Sequence, residues 1–310
     1  MRFAWIAWLL VAAPAAAQQP TDGQWLLAPG EGPSTVELTL RYGGRGHDDN
    51  WSSDDVPLGE LVGLPAAAWR DPGTDVRFRV VRDAGTLVCE GWFAHGKGSG
   101  HFTYEPSRQF VAELARRGIG APDPLAQLQM TMADLGLDLV DELAREAYAR
   151  PTVAELTRMA THGVDLEFLR GLERAGYRLG SPSALIEMRD HGVDPEFIAS
   201  LDSAGYVHLS ADELLRVRDH GVDGEFIGDM RAAGYRPSDI EDLVETRDHG
   251  VDATYVRELK AVGYGGLSLT ELRRARDHGV TAGFIRRAVS RGYTSRTLDE
   301  LIRLRDRGLD

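Results

Sequence analysis

The chain has 310 residues, 35 basic and 48 acidic, and a formal net charge of −13 at neutral pH. That balance repels the nucleic-acid phosphate backbone and anionic lipid, so neither is an expected partner. A single cysteine, Cys89, excludes an internal disulfide, and the length leaves room for two domains.

Arg2 precedes an apolar run from Phe3 to Ala13, and Ala15-Ala16-Ala17 before Gln18 fits a signal-peptidase site. The run is too short to be a permanent span, which needs about 20 apolar residues. Residues 1–17 are therefore expected to be a cleaved signal peptide and residues 18–32 a flexible segment. The mature chain is expected to be exported, periplasmic or secreted, with no integral membrane segment. Loss of Arg2 takes the net charge from −13 to −14.

Residues 33–104 read as a small antiparallel β domain. Thr35 to Tyr42, Val76 to Val80 and His101 to Tyr104 alternate with period two. Asp83-Ala84-Gly85 and Gly96-Lys97-Gly98-Ser99-Gly100 have the composition of hairpin turns. Cys89, inside the apolar stretch Thr86 to Phe93, reads as a small strand residue.

The same region contains two stretches with the composition of ligand loops. The Gly96–Gly100 run lacks phosphate-loop spacing and precedes a strand, not a helix. From His47 to Asp55 oxygen-bearing side chains recur at alternate positions, as in calcium loops. Yet Ser53 stands where glycine is needed and Gly59 where a carboxylate should close the loop, so a solvated acidic loop is expected. His-Glu-x-x-His, Gly-x-Ser-x-Gly and Cys-x-x-Cys do not occur. No catalytic residue, metal ligand or cofactor is assigned.

Residues 105–310 carry a repeat. His-Gly recurs at His162, His191, His220, His249 and His278, and Gly-Tyr at Gly176, Gly205, Gly234, Gly263 and Gly292, always 29 residues apart. Thr152, Ser181, Ser210, Asp239, Ser268 and Thr297 are capping residues, and five of them are followed three residues on by Glu or Asp in the manner of a capping box. Asp165, Asp194, Asp223, Asp252 and Thr281 start a second helix in each repeat. Helices this short do not persist alone, since isolated helices below about 12–15 residues are marginal, so repeats must be held by their neighbours. Upstream, Phe110–Gly118 matches a second helix, and Leu135 to Tyr148 matches another with a short deletion. The expected fold is α+β: the small sheet, then an α-solenoid of about six two-helix, 29-residue repeats.

Arg-Asp-His recurs as Arg189-Asp190-His191, Arg218-Asp219-His220, Arg247-Asp248-His249 and Arg276-Asp277-His278. One such triad could be catalytic. Identical copies in successive repeats argue for a stacking contact instead, because an active site needs one constellation. Histidine suits the negative end of a helix, but aspartate in the last turn does not. Each Asp is therefore expected to pair with an Arg or a backbone N–H of an adjoining turn or repeat, forming a ladder. A row of histidines also makes stability pH-dependent.

The Arg-Asp-His-Gly-Val unit, the Gly-Tyr pairs and the Arg82-Asp83-Ala84-Gly85-Thr86…Glu90-Gly91 segment resemble an uncharacterised family of bacterial exported proteins. Similar repeats are appended to some membrane metallopeptidases of the antibiotic-sensor type. The resemblance covers residues 33–310 and transfers no activity, because this chain lacks the zinc motif and membrane bundle of those peptidases. It implies at most a regulatory or sensory partner of an envelope protease or sensor. The leading expectation is a non-enzymatic scaffold for a protein or peptide partner, whose surface uses positions that differ between repeats, such as Leu179, His208, Pro237 and Gly266. An enzyme would need a site in the β domain, from His47, Asp48, Asp49, His95 and His101.

Overall fold

The computed structural model describes residues 22–32, 34–42, 50–65, 73–294 and 296–308. It is α+β, a curled antiparallel sheet followed by helices. The chain divides into two compact units, Met1–Val140 with Thr152–Thr161, and Asp141–Pro151 with His162–Asp310.

The strands are β1 (Asp22–Pro29), β2 (Thr35–Tyr42), β3 (Asn50–Pro57), β4 (Leu61–Val62), β5 (Thr74–Arg82), β6 (Gly85–Ala94) and β7 (Lys97–Pro106). They form one antiparallel sheet in the order β3-β2-β1-β7-β6-β5-β4. In β2 the alternation does what its period dictates: Val36, Leu38, Leu40 and Tyr42 are buried, and Glu37 and Arg41 are exposed.

Three features depart from the sequence reading. Residues 22–29, expected in a flexible segment, form a central strand between β2 and β7. Its alternation rests on Trp25 and Leu27 alone, and the neighbouring Pro20, Pro29 and Gly30 mask it. Trp25 is fully buried; its indole donates Nε1–H to the Glu90 carbonyl at 3.2 Å and meets Phe78 edge-on at 5.0 Å between centroids.

The second departure follows from that indole. The hairpin turn is His95-Gly96 alone, both at positive φ (50° and 76°) as a two-residue type I′ turn requires, and Lys97–Gly100 is strand. A Cβ on Gly98 would fall 2.3 Å from Phe93 and 3.0 Å from the Trp25 ring, so this glycine makes room in a strand.

Third, of the stretch expected to be an acidic loop, His47, Asp48 and Asp49 lie outside the described residues and the remainder is β3, paired along all of β2. Its oxygens serve cross-strand bonds: Thr35 Oγ1 donates to Asp55 Oδ2 at 2.8 Å and Ser53 Oγ to Glu37 Oε1 at 3.0 Å.

The helices are α1 (Arg108–Arg116), α2 (Pro124–Met132), α3 (Leu137–Arg145), α4 (Val153–Thr161), α5 (Leu166–Arg174), α6 (Pro182–Asp190), α7 (Pro195–Ser203), α8 (Ala211–Asp219), α9 (Gly224–Ala232), α10 (Glu241–Asp248), α11 (Ala253–Ala261), α12 (Leu269–Asp277), α13 (Ala282–Ser290) and α14 (Leu298–Asp306). Odd-numbered helices begin every 29 residues from Arg108 to Ala282; even-numbered ones do so from Pro124 to Leu298, α10 alone starting one residue late. The period thus extends upstream through α1, α2 and α3 without the expected deletion. Asp134 and Ala147 take left-handed φ values of 51° and 57° where the following repeat has Gly163 and Gly176 at 70° and 90°.

The first unit does not stop at residue 104. α2 packs on β6 and β7, and its Leu128 and Met132 belong to the sheet's core. The Arg82-Asp83-Ala84 turn is the socket for the first helices. Arg82 Nη1 donates to the Thr131 carbonyl at 2.8 Å at the end of α2, and the Ala84 carbonyl accepts from Gln127 Nε2 at 2.7 Å. The Asp83 carboxylate accepts from the Leu137 N–H at 2.9 Å, capping α3, whose own cap position is Gly136.

Later helices carry their own caps. Asp165, Asp194, Asp223 and Asp252 accept the third N–H of α5, α7, α9 and α11 at 2.7–2.8 Å. Reciprocal capping boxes close α4, α8, α12 and α14 through Thr152/Glu155, Ser210/Glu213, Ser268/Glu271 and Thr297/Glu300. The looser box at Asp239/Asp242 does not form. Asp239 bonds the N–H two residues on, as an Asx turn, and the Asp242 carboxylate faces Arg273 at 3.6 Å.

Candidate functional site

In the second unit the odd helices α5, α7, α9, α11 and α13 each pack on the next odd one, and α10, α12 and α14 likewise. The Arg-Asp-His residues lie at these junctions, shared between repeats. His191 Nδ1 lies 2.6 Å from Asp219 Oδ1 of the following repeat, and His220–Asp248 and His249–Asp277 repeat the pair at 2.6 and 2.7 Å. Since a carboxylate only accepts, Nδ1–H is the donor and Nε2 is left to solvent. The partner of each Asp is thus the preceding histidine, where arginine or a backbone N–H was expected. The arginines stack instead: the guanidinium carbons of Arg189, Arg218, Arg247 and Arg276 sit 5.0–5.1 Å above the rings of Phe168, Phe197, Phe226 and Tyr255. Their Nε atoms pass over the preceding His-Gly glycine, within 3.2–3.7 Å of where its Cβ would be, and that glycine also holds the left-handed turn, Gly192 at φ 70°.

The ladder includes residues outside the Arg-Asp-His triads. His162 pairs with Asp190 at 2.5 Å, His278 with Asp306 at 2.8 Å, and Arg305 covers Phe284 at 5.5 Å. These pairs were legible in the 29-residue spacing, though not in the three-letter motif. The second repeat has Ala160-Thr161 before its histidine, and the last has Arg307 after its Arg-Asp. Arg-Asp occurs where a preceding His-Gly can receive it, which is the signature of a contact shared between neighbours.

The Gly-Tyr pairs make a second ladder. Tyr177, Tyr206, Tyr235 and Tyr264 donate their hydroxyls to the carbonyls of Leu209, Pro237, Leu267 and Arg296 at 2.6–2.7 Å. Burial pushes each phenol above its ordinary value. Beside this ladder lie two shallow clefts at equivalent places two repeats apart. One is bounded by Gly176, Tyr177, Asp202, Val207 and His208, the other by Gly234, Tyr235, Lys260, Gly265 and Gly266. Two of the positions singled out for varying between repeats, His208 and Gly266, therefore line clefts, and Pro237 supplies a Tyr-bound carbonyl.

Glu142, Glu146 and Glu173 form a third grouping with Arg145 and Arg170. Hydrogen bonds from Arg145 and Arg170 hold the Glu142 carboxyl at about 2, whereas burial and the neighbouring Glu146 and Glu142 raise Glu173. This grouping is a paired charge network.

In the sheet, burial pushes the Cys89 thiol up to about 12, which leaves it without thiolate character at neutral pH. His95 is exposed in the β6–β7 turn, and His101 is exposed on β7 opposite Glu90. Among the described residues no group of three His, Cys, Asp or Glu side chains is placed to hold a metal ion. No helix among them is long and apolar enough to cross a membrane. No protein-family model, no curated protein and no solved structure matches this chain.

Proposed function

We propose that this chain is an exported, non-enzymatic α-solenoid scaffold that binds a protein or peptide partner along its Gly-Tyr edge. The observation carrying this reading is a division of labour among the repeating positions. The recurring Arg, Asp, His and Tyr residues are used up in contacts between neighbouring repeats, and the clefts beside them have one frame with different linings: Val207 and His208 in one, Gly265 and Gly266 in the other. A constant frame with variable linings suits recognition of an extended ligand, one repeat to one short segment. Export rests on Arg2, the apolar run and Ala15-Ala16-Ala17.

The test is selection of a random peptide library on the immobilised mature chain. Selected peptides should lose binding to the Val207→Glu and Gly266→Trp variants and keep it with His191→Gln, which touches only the ladder. Peptides indifferent to both cleft variants, or no enrichment at all, would refute the reading.

A further inference from the structure

We propose that the cleft beside Tyr177 takes one arginine or lysine side chain of a partner polypeptide, its cation held between the Asp202 carboxylate and the Ala175 carbonyl. This rests on the scaffold reading and names the chemistry of one of its subsites.

One position recurs across successive repeats as Glu173, Asp202, Arg231 and Lys260. Arg231 shows what the place accepts: its Nη2 donates to the Ala204 carbonyl just past the end of α7. Carbonyls there have no N–H of their own helix to receive and lie at the negative end of its dipole, so a guanidinium is the matching group. The chain fills its own cleft at that junction. At the other junctions the occupant differs. Glu173 has a cation from within the chain, Arg145 at 3.7 Å. Lys260 runs along the turn that follows it, its Cγ 3.1 Å from where a Cβ on Gly265 would be.

Asp202 is the exception. Among the described residues its carboxylate has no ion pair or side-chain hydrogen bond, and the Ala175 carbonyl, the counterpart of that of Ala204, receives no donor. The cleft therefore offers the carbonyl that Arg231 uses one repeat later, together with a carboxylate where Arg231 itself would stand. Val207, 53% exposed, supplies an apolar wall for the methylene stem of a basic side chain. Arg174 and His208 also line the cleft, and among the described residues Arg174 and Asp202 share no ion pair. The electrostatics agree with the geometry: after burial, Asp202 and then Glu213 raise the Tyr177 phenol, whereas Arg231 pulls the equivalent Tyr206 down. The net charge of −13 favours a cationic partner at longer range.

The experiment titrates the ¹⁵N-labelled mature chain with a capped glycine-arginine-glycine tripeptide and with its neutral citrulline counterpart. Saturable shifts of the Gly176, Tyr177 and Val207 amides are expected with the arginine peptide and none with citrulline, since only the former makes charge-assisted bonds. Asp202→Asn should abolish the shifts, and Arg174→Ala, which removes a competing cation, should strengthen binding. Asp202 is exposed in the last turn of α7, where a negative charge is disfavoured, so Asp202→Asn should melt no lower than the parent, which certifies its fold. Equal shifts with citrulline, shifts that survive Asp202→Asn, or no shift at all would each overturn the proposal. The scaffold reading is judged apart: library peptides that depend on the clefts but show no enrichment in basic residues would leave it standing while this subsite falls.

Discussion

His220 follows the last residue of α8 with its Nδ1 2.6 Å from Asp248, which ends α10 one repeat on. Two effects oppose each other at that aspartate. The carboxylate gains a hydrogen bond from the imidazole but sits in the last turn of a helix, where a negative charge is disfavoured by about 0.3–1 kcal/mol. Both side chains are about two-fifths exposed (36% and 44%), and exposed pairs contribute only about 0.2–1 kcal/mol. Asp248→Ala alone therefore gives a small net loss, because the two terms partly cancel. A double-mutant cycle with His220→Gln and Asp248→Asn separates them. The expected coupling is about 0.5 kcal/mol, measured by urea unfolding at pH 6, and a coupling indistinguishable from zero would remove the ladder as a stabilising contact. Five such junctions among the described residues multiply a modest interaction into one that matters for the stacked helices.

At the scale of elements, most helices carry their start signals in their own sequence, which is why they were legible: Asp194 before α7 or Ser210 with Glu213 around α8 needs no distant partner. α3 is the counterexample. Its cap position is Gly136, and its first N–H is received by Asp83, 54 residues away in the β5–β6 turn. No local pattern could reveal that bond, and the missing cap residue made this repeat read as shortened. A Cβ at position 136 would lie 3.3 Å from the Asp83 carboxylate and closer still to Asp138, so the glycine clears space near the borrowed cap. Strand β1 was hidden for a related reason: the space for Trp25 is made by Gly91 on β6 and Gly98 on β7, far along the chain. The clefts were half legible. Their variable positions could be read from the spacing, but the lone carboxylate at Asp202 emerges only when each repeat's contacts are compared. Asp83→Ala should cost about 1 kcal/mol, the ordinary worth of an N-cap, and increase amide exchange at Leu137 first. Unchanged protection at Leu137 in that variant would show that the cap is dispensable.

For the whole molecule, stability should follow pH through two sets of groups with opposite signs. The capping glutamates Glu155, Glu213, Glu271 and Glu300 are held below their ordinary value by backbone N–H bonds, and Glu142 sits at about 2 through Arg145 and Arg170. A depressed carboxyl stabilises the fold above its unfolded value near 4.5, and that contribution is lost as pH falls through the folded value. His191 is the reverse case. Its hydrogen bond to Asp219 raises it, so its contribution is complete below its unfolded value near 6.5 and disappears as pH rises through the folded one. Glu187 and Asp190 on its own helix add to the raising, while the Arg218 guanidinium lies over the adjoining Gly192. Glu173, raised by burial and by Glu146 and Glu142, opposes the other glutamates: its contribution is present below about 4.5 and fades above. The expected melting curve is therefore a plateau from about pH 4.5 to 6.5, with a steep acid side carried by five carboxylates and a shallow neutral side carried by His191. Solvent screening at an exposed histidine keeps the neutral arm small, about 1 °C between pH 6 and 8. Because rising negative charge also lowers stability with pH, the decisive comparison is His191→Gln against the parent. The variant should melt lower at pH 6 and converge with the parent at pH 8, and a gap that stays constant across that range would assign the pH dependence to net charge instead of the ladder.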